Sequence, residues 1–305
     1  MMQPATEKWT SDRRSGAMTA EPGMTIAAVT LESQLPPHPY AERWLGRDTR
    51  SDRPMLVYRL TGSSAVLPLQ VFLDAMHTVA HFKHRHALPL LRCEAQHPTG
   101  KWIASPYHAM HSGIITFDDV LKQRATGAVS RTESFWLAWH LIDLCAAGEV
   151  RGMEPGILTL DAITIDRRNA PIVELFGLGP LLGRLTLPAC PLPSPRRSVE
   201  ALATLLLRAA TGIDAPAVGA LDRRRRSAMH TGLRAWLAKI LDERTIETFT
   251  DARAALAENA PKAIRPAPSP SRFAGTRITI VNSKDETAPA PGSTPAPGTA
   301  LTATH

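Results

Sequence analysis

The sequence predicts an α+β fold of two lobes, a small β-rich lobe followed by a helical one, flanked by disordered tails. Three observations carry this reading. Strand-like segments come first along the chain and helix-period segments come later, which argues for segregated layers and against alternating βαβ units. With 44% hydrophobic and 21% charged residues, the chain has the composition of an ordinary globular protein, excluding a wholly disordered, collagen-like or coiled-coil chain. Both ends, by contrast, are polar and punctuated by Pro and Gly.

Residues 1–37 lack sustained periodicity apart from an alternating stretch at Met24–Leu31, and are expected to be a flexible leader. The folded part is expected over 38–260, between these tails. Met55–Leu60 and Lys101–Tyr107 read as strands. Between them Phe72, Met76, Val79 and Ala80 recur at helical spacing, placing one amphipathic helix among the strands. Ser130-Arg131-Thr132-Glu133 has the spacing of a capping box, and Phe135, Trp139, Ile142 and Ala146 follow on one face of a long core helix. Ile163–Asp166 and Ile172–Leu175 read as a hairpin around a turn at 167–171. Val199, Leu202, Leu206 and Ala209 mark a helix closed by Gly212; Leu233, Trp236, Leu237 and Ile240 mark the next, and a last one runs from about Thr250 to Glu258. The tail, 261–305, is rich in Pro, Ala and Thr and is expected to be disordered, because such a composition cannot offset chain entropy. Within it Thr276–Val281 alternates like a strand; it is read first as an isolated apolar patch, with addition to a sheet edge as the alternative.

An excess of 35 Lys+Arg over 28 Asp+Glu gives +7, spread too thinly to make a nucleic-acid binder by charge alone. Cys93, Cys145 and Cys190 stand far apart, so neither a disulfide framework nor a zinc knuckle is implied. With no apolar run long enough to span a membrane and no signal-like start, the expectation is a cytoplasmic protein.

This order of elements, together with Glu174-Leu175-Phe176-Gly177, resembles the bacterial Ser/Thr protein kinase family. The Phe-Gly after the hairpin is similar to a DFG motif whose Asp has become Leu175. Ala162–Asp166 resembles the end of the catalytic loop, which puts Ile157 at the catalytic Asp and Ala162 at the metal-binding Asn. His86–Leu91 resembles the turn after the inserted helix. Trp44–Arg47 resembles the glycine-rich loop with only Gly46 kept, and Leu56–Leu60 the strand bearing the ATP-binding lysine, whose place falls on Arg59. His77, or Asp74 one turn earlier, stands near the place of the helix glutamate.

What the resemblance implies is a protein-kinase-like fold, with an N-lobe at 38–106 and a C-lobe at 107–260, without its chemistry. Phosphoryl transfer needs a lysine on the phosphates, an Asp and an Asn on magnesium and an Asp on the nucleophile. Leu175 and Ala162 cannot ligate a hard cation, Ile157 cannot accept a proton, and Arg59 is not equivalent to lysine as a point charge. The stretch from Gly177 to about Arg197 is short for a substrate-binding segment. No cofactor is expected; ATP would be held, if at all, without productive magnesium, in a pocket filled by Arg59 and Leu175.

The expected function is that of a pseudokinase: a protein-binding or scaffolding module in signalling, whose partner is another protein such as an active kinase or a signalling complex. An atypical kinase drawing on Asp161, Asp166 or Glu174 is the alternative, although strand alternation points Glu174 away from the side of Leu175. An anion- or nucleic-acid-binding module through Arg223, Arg224, Arg225 and Arg226, helped by Arg196 and Arg197, is a third class. No aromatic platform accompanies that run, so nucleic acid is not the expected partner. His81, His84 and His86 do not have a zinc spacing and stand among cationic neighbours, so they are read as packing residues.

Overall fold

Alternation with period two builds the first half of the chain. Strands β1 (Thr25–Ile26), β2 (Val29–His38), β3 (Ala41–Asp48) and β4 (Pro54–Leu60) follow one another in an antiparallel ladder, and β5 (Arg92–His97) and β6 (Gly100–Pro106) form a hairpin whose second strand pairs with β4. A short strand, β9 (Thr279–Val281), pairs parallel to β5 and completes the seven-stranded order β1-β2-β3-β4-β6-β5-β9. The structure, a computed structural model, describes residues 19–61, 67–109, 113–153, 155, 158–178, 194–259 and 279–281.

Both faces of this sheet are covered, which composition did not foretell. On one face Leu56, Tyr58 and Leu60 of β4 share the main core with Phe72, Met76 and Val79 of helix α1 (Leu69–Ala80). On the other, Trp44, Met55, Val57 and Trp102 meet Ile26, Ala27, Val29 and Leu31 in a second, smaller core. The cover is made by β1, the turn at Ala27 and Ala28 (φ 49° and 58°) and the first residues of β2. The Ala27 amide donates to the buried Glu94 carboxylate (2.7 Å), while Arg92 pairs with Asp48. Residues 25–37, assigned to a leader by their polarity, therefore belong to the sheet. The strand-like island in the tail likewise adds its residues 279–281 to a sheet edge in cis, correcting its reading as an isolated patch; the flanking stretches of the tail lie outside the described residues.

Helical spacing builds the second half. Helix α2 (Phe117–Lys122) starts at a capping box between Thr116 and Asp119, and α3 (Arg131–Glu149) at the expected one between Ser130 and Glu133. α3 is buried along most of its length and packs against α4 (Pro195–Thr211), α6 (Thr231–Leu241) and α7 (Phe249–Glu258). α4 ends where expected, at Gly212 in the left-handed region with φ 75°, a conformation a side chain would strain. A six-residue helix, α5 (Arg223–Ala228), links α4 to α6 and buries none of its residues. The short hairpin β7 (Ile163–Ile165) and β8 (Pro171–Val173) sits between the two halves, and the main core runs without a break from the sheet through it into the helices.

Candidate functional site

The hairpin is where sheet and helices are tied, so its local chemistry sets the site. Its turn is held by Asp166, whose Oδ1 accepts from the amides of Arg168 and Ala170 (both 2.8 Å), with Asn169 at φ 59°. Beyond the turn, the Val173 amide donates to the His86 carbonyl (2.7 Å) and the Leu88 amide to the Val173 carbonyl (3.0 Å), which stitches β8 to the turn after α1. The Glu174 amide then donates to the Ala162 carbonyl (3.0 Å). Leu175 at φ 50° redirects the chain, Phe176 stacks on Phe82 with ring centroids 5.2 Å apart, and Gly177 follows at φ 81°.

This bend aims the Glu174 side chain at the sheet, where it meets Arg43 of β3. Arg43 Nε donates to Glu174 Oε2 (2.8 Å), Nη2 to the Asp161 carbonyl (2.9 Å) and Nη1 to the Pro36 carbonyl (3.1 Å). Both side chains are fully buried, at 0% exposure. Burial pushes the Glu174 carboxyl above its ordinary range even with the guanidinium beside it, and pushes the Tyr58 phenol well above its own, with Glu174 adding to the rise.

Histidines close the sides of this pair. His38, at the end of β2, lies edge-on to Tyr58 at 6.1 Å, and burial followed by the nearby Arg43 charge lowers its pKa to about 3. His108 bonds through Nε2 to Thr164 Oγ1 (2.7 Å), and burial lowers its pKa to about 4. His38 Nε2, Ser105 Oγ and His108 Nδ1 are buried there without hydrogen-bond partners. The interval between sheet and hairpin is thus occupied by one salt-bridged arginine inside a polar lining, with its donors spent on the distant Glu174 and Asp161 and on the nearby Pro36 and Pro37 carbonyls.

Several residues singled out by sequence lie elsewhere. Arg59 is on the opposite face of β4 from Tyr58, next to Trp102, and pairs with Glu42. It does not fill the interval; Arg43 and Tyr58 do. Because that pair is partly wetted, Arg59→Ala is expected to cost about 1 kcal/mol or less in a thermal melt. Gly46 is inside β3, paired with Leu31 and Met55, and a Cβ there would lie 2.6 Å from the Thr30 carbonyl oxygen. Its role is close strand packing and not a phosphate loop; the turn between β2 and β3 is made by Pro39 and Tyr40 and holds no glycine. His77 and Asp74 face outward on α1, whose inward residues are apolar. Ala162 and Leu175 are buried beside the Arg43–Glu174 pair, whereas Ile157 lies outside the described residues. Glu174, which strand alternation pointed away, is the carboxylate that enters the interval.

His84 bonds to Asp143 (3.3 Å) and His86 packs against His140 with centroids 4.2 Å apart, and among the described residues no His, Cys, Asp and Glu group could hold a metal ion. Cys145 is buried in α3 and its thiol is pushed up by burial. Trp236 donates to the Ala252 carbonyl (2.7 Å) within the core. Arg223, Arg224, Arg225 and Arg226 form the exposed α5. Sequence reasoning missed Arg43; its signal was a charged residue in phase with Ala41 and Leu45, on the face of β3 that the core claims.

The architecture has close counterparts among solved structures. The kinase domain of Mycobacterium tuberculosis PknI superposes with a TM-score of 0.61 at 17% identity, covering 80% of this chain and 100% of that one. PpkA-294 in its apo form gives 0.62 at 14% identity, covering 78% and 99%. The fold is that of a protein kinase domain. Within this kinase-like fold the Arg43–Glu174 pair joins the N-terminal sheet to the hairpin that precedes the Phe-Gly turn. No protein-family model matches the chain, and no curated protein matches it.

Proposed function

We propose that this kinase-like chain is a pseudokinase: a cytoplasmic module that binds or scaffolds a protein partner, such as an active kinase or a signalling complex, and does not transfer phosphate. The observation that carries the reading is the buried Arg43–Glu174 pair between sheet and hairpin. Mg-ATP would need open volume there, a free cation for its phosphates and free carboxylates for its metal. Arg43 donates to four acceptors, Glu174 is fully buried with Oε2 held by Arg43 and only Oε1 left without a hydrogen-bond partner, and the polar side chain that β4 turns to the same region is the neutral Tyr58. Leu175 supplies no oxygen beyond the bend. In support of a soluble module, no described helix is long and apolar enough to cross a membrane.

A thermal-shift titration with ATP, with and without magnesium, run beside a radiolabelled autophosphorylation assay, tests this. The expected outcome is no label and no shift. A magnesium-dependent label that a Glu174→Gln change abolishes would overturn the proposal in favour of an atypical kinase; stabilisation by ATP without label would narrow it to a nucleotide-sensing pseudokinase.

A further inference from the structure

Helix α5 has no part in the core, yet it concentrates four consecutive arginines. A solvated helix edge needs no such cost: like charges on neighbouring turns repel, and only Arg225 finds a carboxylate, that of Asp222 at its own N-cap. Among the described residues no acidic side chain pairs with Arg223, Arg224 or Arg226. The helix is nevertheless held firmly. Arg131 of α3 donates to the Ser227 and Ala228 carbonyls at its end, and Arg234 of α6 donates to the Arg226 carbonyl (3.2 Å).

Arg223 and Arg226 stand one turn apart, and with Arg234 they line a groove of about 420 Å³ between α5 and α6. Its apolar side is Val218, Ala235 and Ala238. The one carboxylate in its wall, Asp242, has both oxygens turned to the backbone, accepting from the Val218 and Gly219 amides at 2.9 and 3.0 Å. Three arginines without acidic partners among the described residues therefore line a concave surface with an apolar wall, one of them, Arg234, also donating to the Arg226 carbonyl.

We infer that this groove is a docking site for a phosphorylated acidic peptide segment of a protein partner. Guanidinium forks match a phosphate dianion in bidentate geometry, and several on one wall are the usual means of holding a phosphorylated side chain. The apolar wall takes the neighbouring aliphatic part of the peptide. A nucleic acid fits less well: no aromatic side chain lines the groove for base stacking, and its volume is that of a few side chains. The proposal rests on the reading of the chain as a binding module, but it is separable from it, since nucleotide reports on the cleft and peptide reports on the groove.

The test is fluorescence anisotropy of the full chain with a degenerate library of phosphoserine and phosphothreonine peptides flanked by Glu and Asp. The same peptides unphosphorylated, a single-stranded RNA of equal charge and inorganic phosphate serve as comparisons. Phosphopeptides are expected to bind at least about tenfold more tightly than their unphosphorylated forms, with affinity falling as salt is raised. The Arg223→Glu/Arg226→Glu variant should lose at least about tenfold at an unchanged melting temperature, since neither residue is buried, whereas Arg224→Glu, outside the groove, should lose under about threefold. No phosphopeptide binding, equal binding of both peptide forms, or full affinity in the double variant would overturn the assignment. RNA binding tighter than the phosphopeptides and lost in the same variant would make the groove a nucleic-acid site, and competition by phosphate as effective as by peptide would reduce it to a simple anion site; either result overturns the proposal too.

Discussion

Replacing Arg43 with leucine is expected to lower stability by about 3–5 kcal/mol, the usual result of stranding one member of a buried ion pair. Three costs add. Glu174 keeps its fully buried position but loses the Nε donor, so its carboxyl must take up a proton or draw in water. The Asp161 and Pro36 carbonyls lose their guanidinium donors. The sheet also loses its direct charged tie to the hairpin. For a folded part of this size, a loss of that order lowers the melting temperature by about 10 °C. The double variant Arg43→Leu/Glu174→Leu should recover the part of the loss that comes from the stranded carboxylate, because apolar groups replace a buried pair at little net cost, while the Asp161 and Pro36 carbonyls stay without their guanidinium donors. Thermal melts of the parent, both single variants and the double decide it. A single-variant cost below about 1 kcal/mol, or a double variant no better than the singles, would mean that the pair does not hold the sheet to the hairpin.

The way this pair escaped sequence reading shows which parts of the fold are local. The capping boxes at Thr116 and Ser130, the inward stripe of α1 and the end of α4 at Gly212 depend on residues within a turn of one another, so their letters sufficed. The hairpin was legible for the same reason: its turn is fastened by Asp166 within its own residues. Strand β5 was not, and the cover over the second core was legible only as the alternating stretch Met24–Leu31, without its place on the sheet. The letters of β5 alternate, but with Cys93 and Ala95 as its only apolar members, and its polar Glu94 is buried because residues some distance before it fold back on it. Arg43 is the extreme case, an arginine that no local pattern singled out and that is buried through a carboxylate 131 positions away.

Register errors had a sharper effect. In a strand one residue exchanges the two faces, so Tyr58 of β4 faces the main core while Arg59, read as a cleft residue, lies on the opposite face and pairs with Glu42. Gly46 was taken for a loop glycine by resemblance, whereas its pairing with Leu31 and Met55 puts it inside the ladder. The kinase-like order of elements survives such slips because it depends on the sequence of strands and helices and not on single letters, which is why the fold was read more faithfully than the site.

Four buried histidines make acid the condition to which this fold should be most sensitive. Burial lowers His38 to about 3, His86 to about 4, His108 to about 4 and His140 to about 3, while the unfolded chain titrates each near 6.5. Between pH 6.5 and about 4 the unfolded chain therefore binds more protons than the folded one, so stability is full above 6.5 and is lost as pH falls. The slope approaches about 1.4 kcal/mol per pH unit for each histidine, and four together approach about 5. That rivals the whole stability of a typical domain within two pH units. Neighbouring charges modulate the slope: Arg85 opposes protonation of His86 and His140 while Asp143 favours it, and Glu174, whose carboxyl is raised, loses stability in the opposite direction. Asp48, lowered to about 2, adds its own loss only below pH 4. Urea unfolding at pH 7.5, 6.5 and 5.5 should show the midpoint falling steeply over the last interval, with cooperative unfolding before pH 5. Substituting His140 with glutamine should flatten the slope by about one proton, or by somewhat less because His86 and His140 lie 4.2 Å apart and titrate as a pair. A midpoint unchanged between pH 7.5 and 5.5 would show that these imidazoles take up protons in the folded chain, and with that the dry polar lining around Arg43 and Glu174 would have to be open to water.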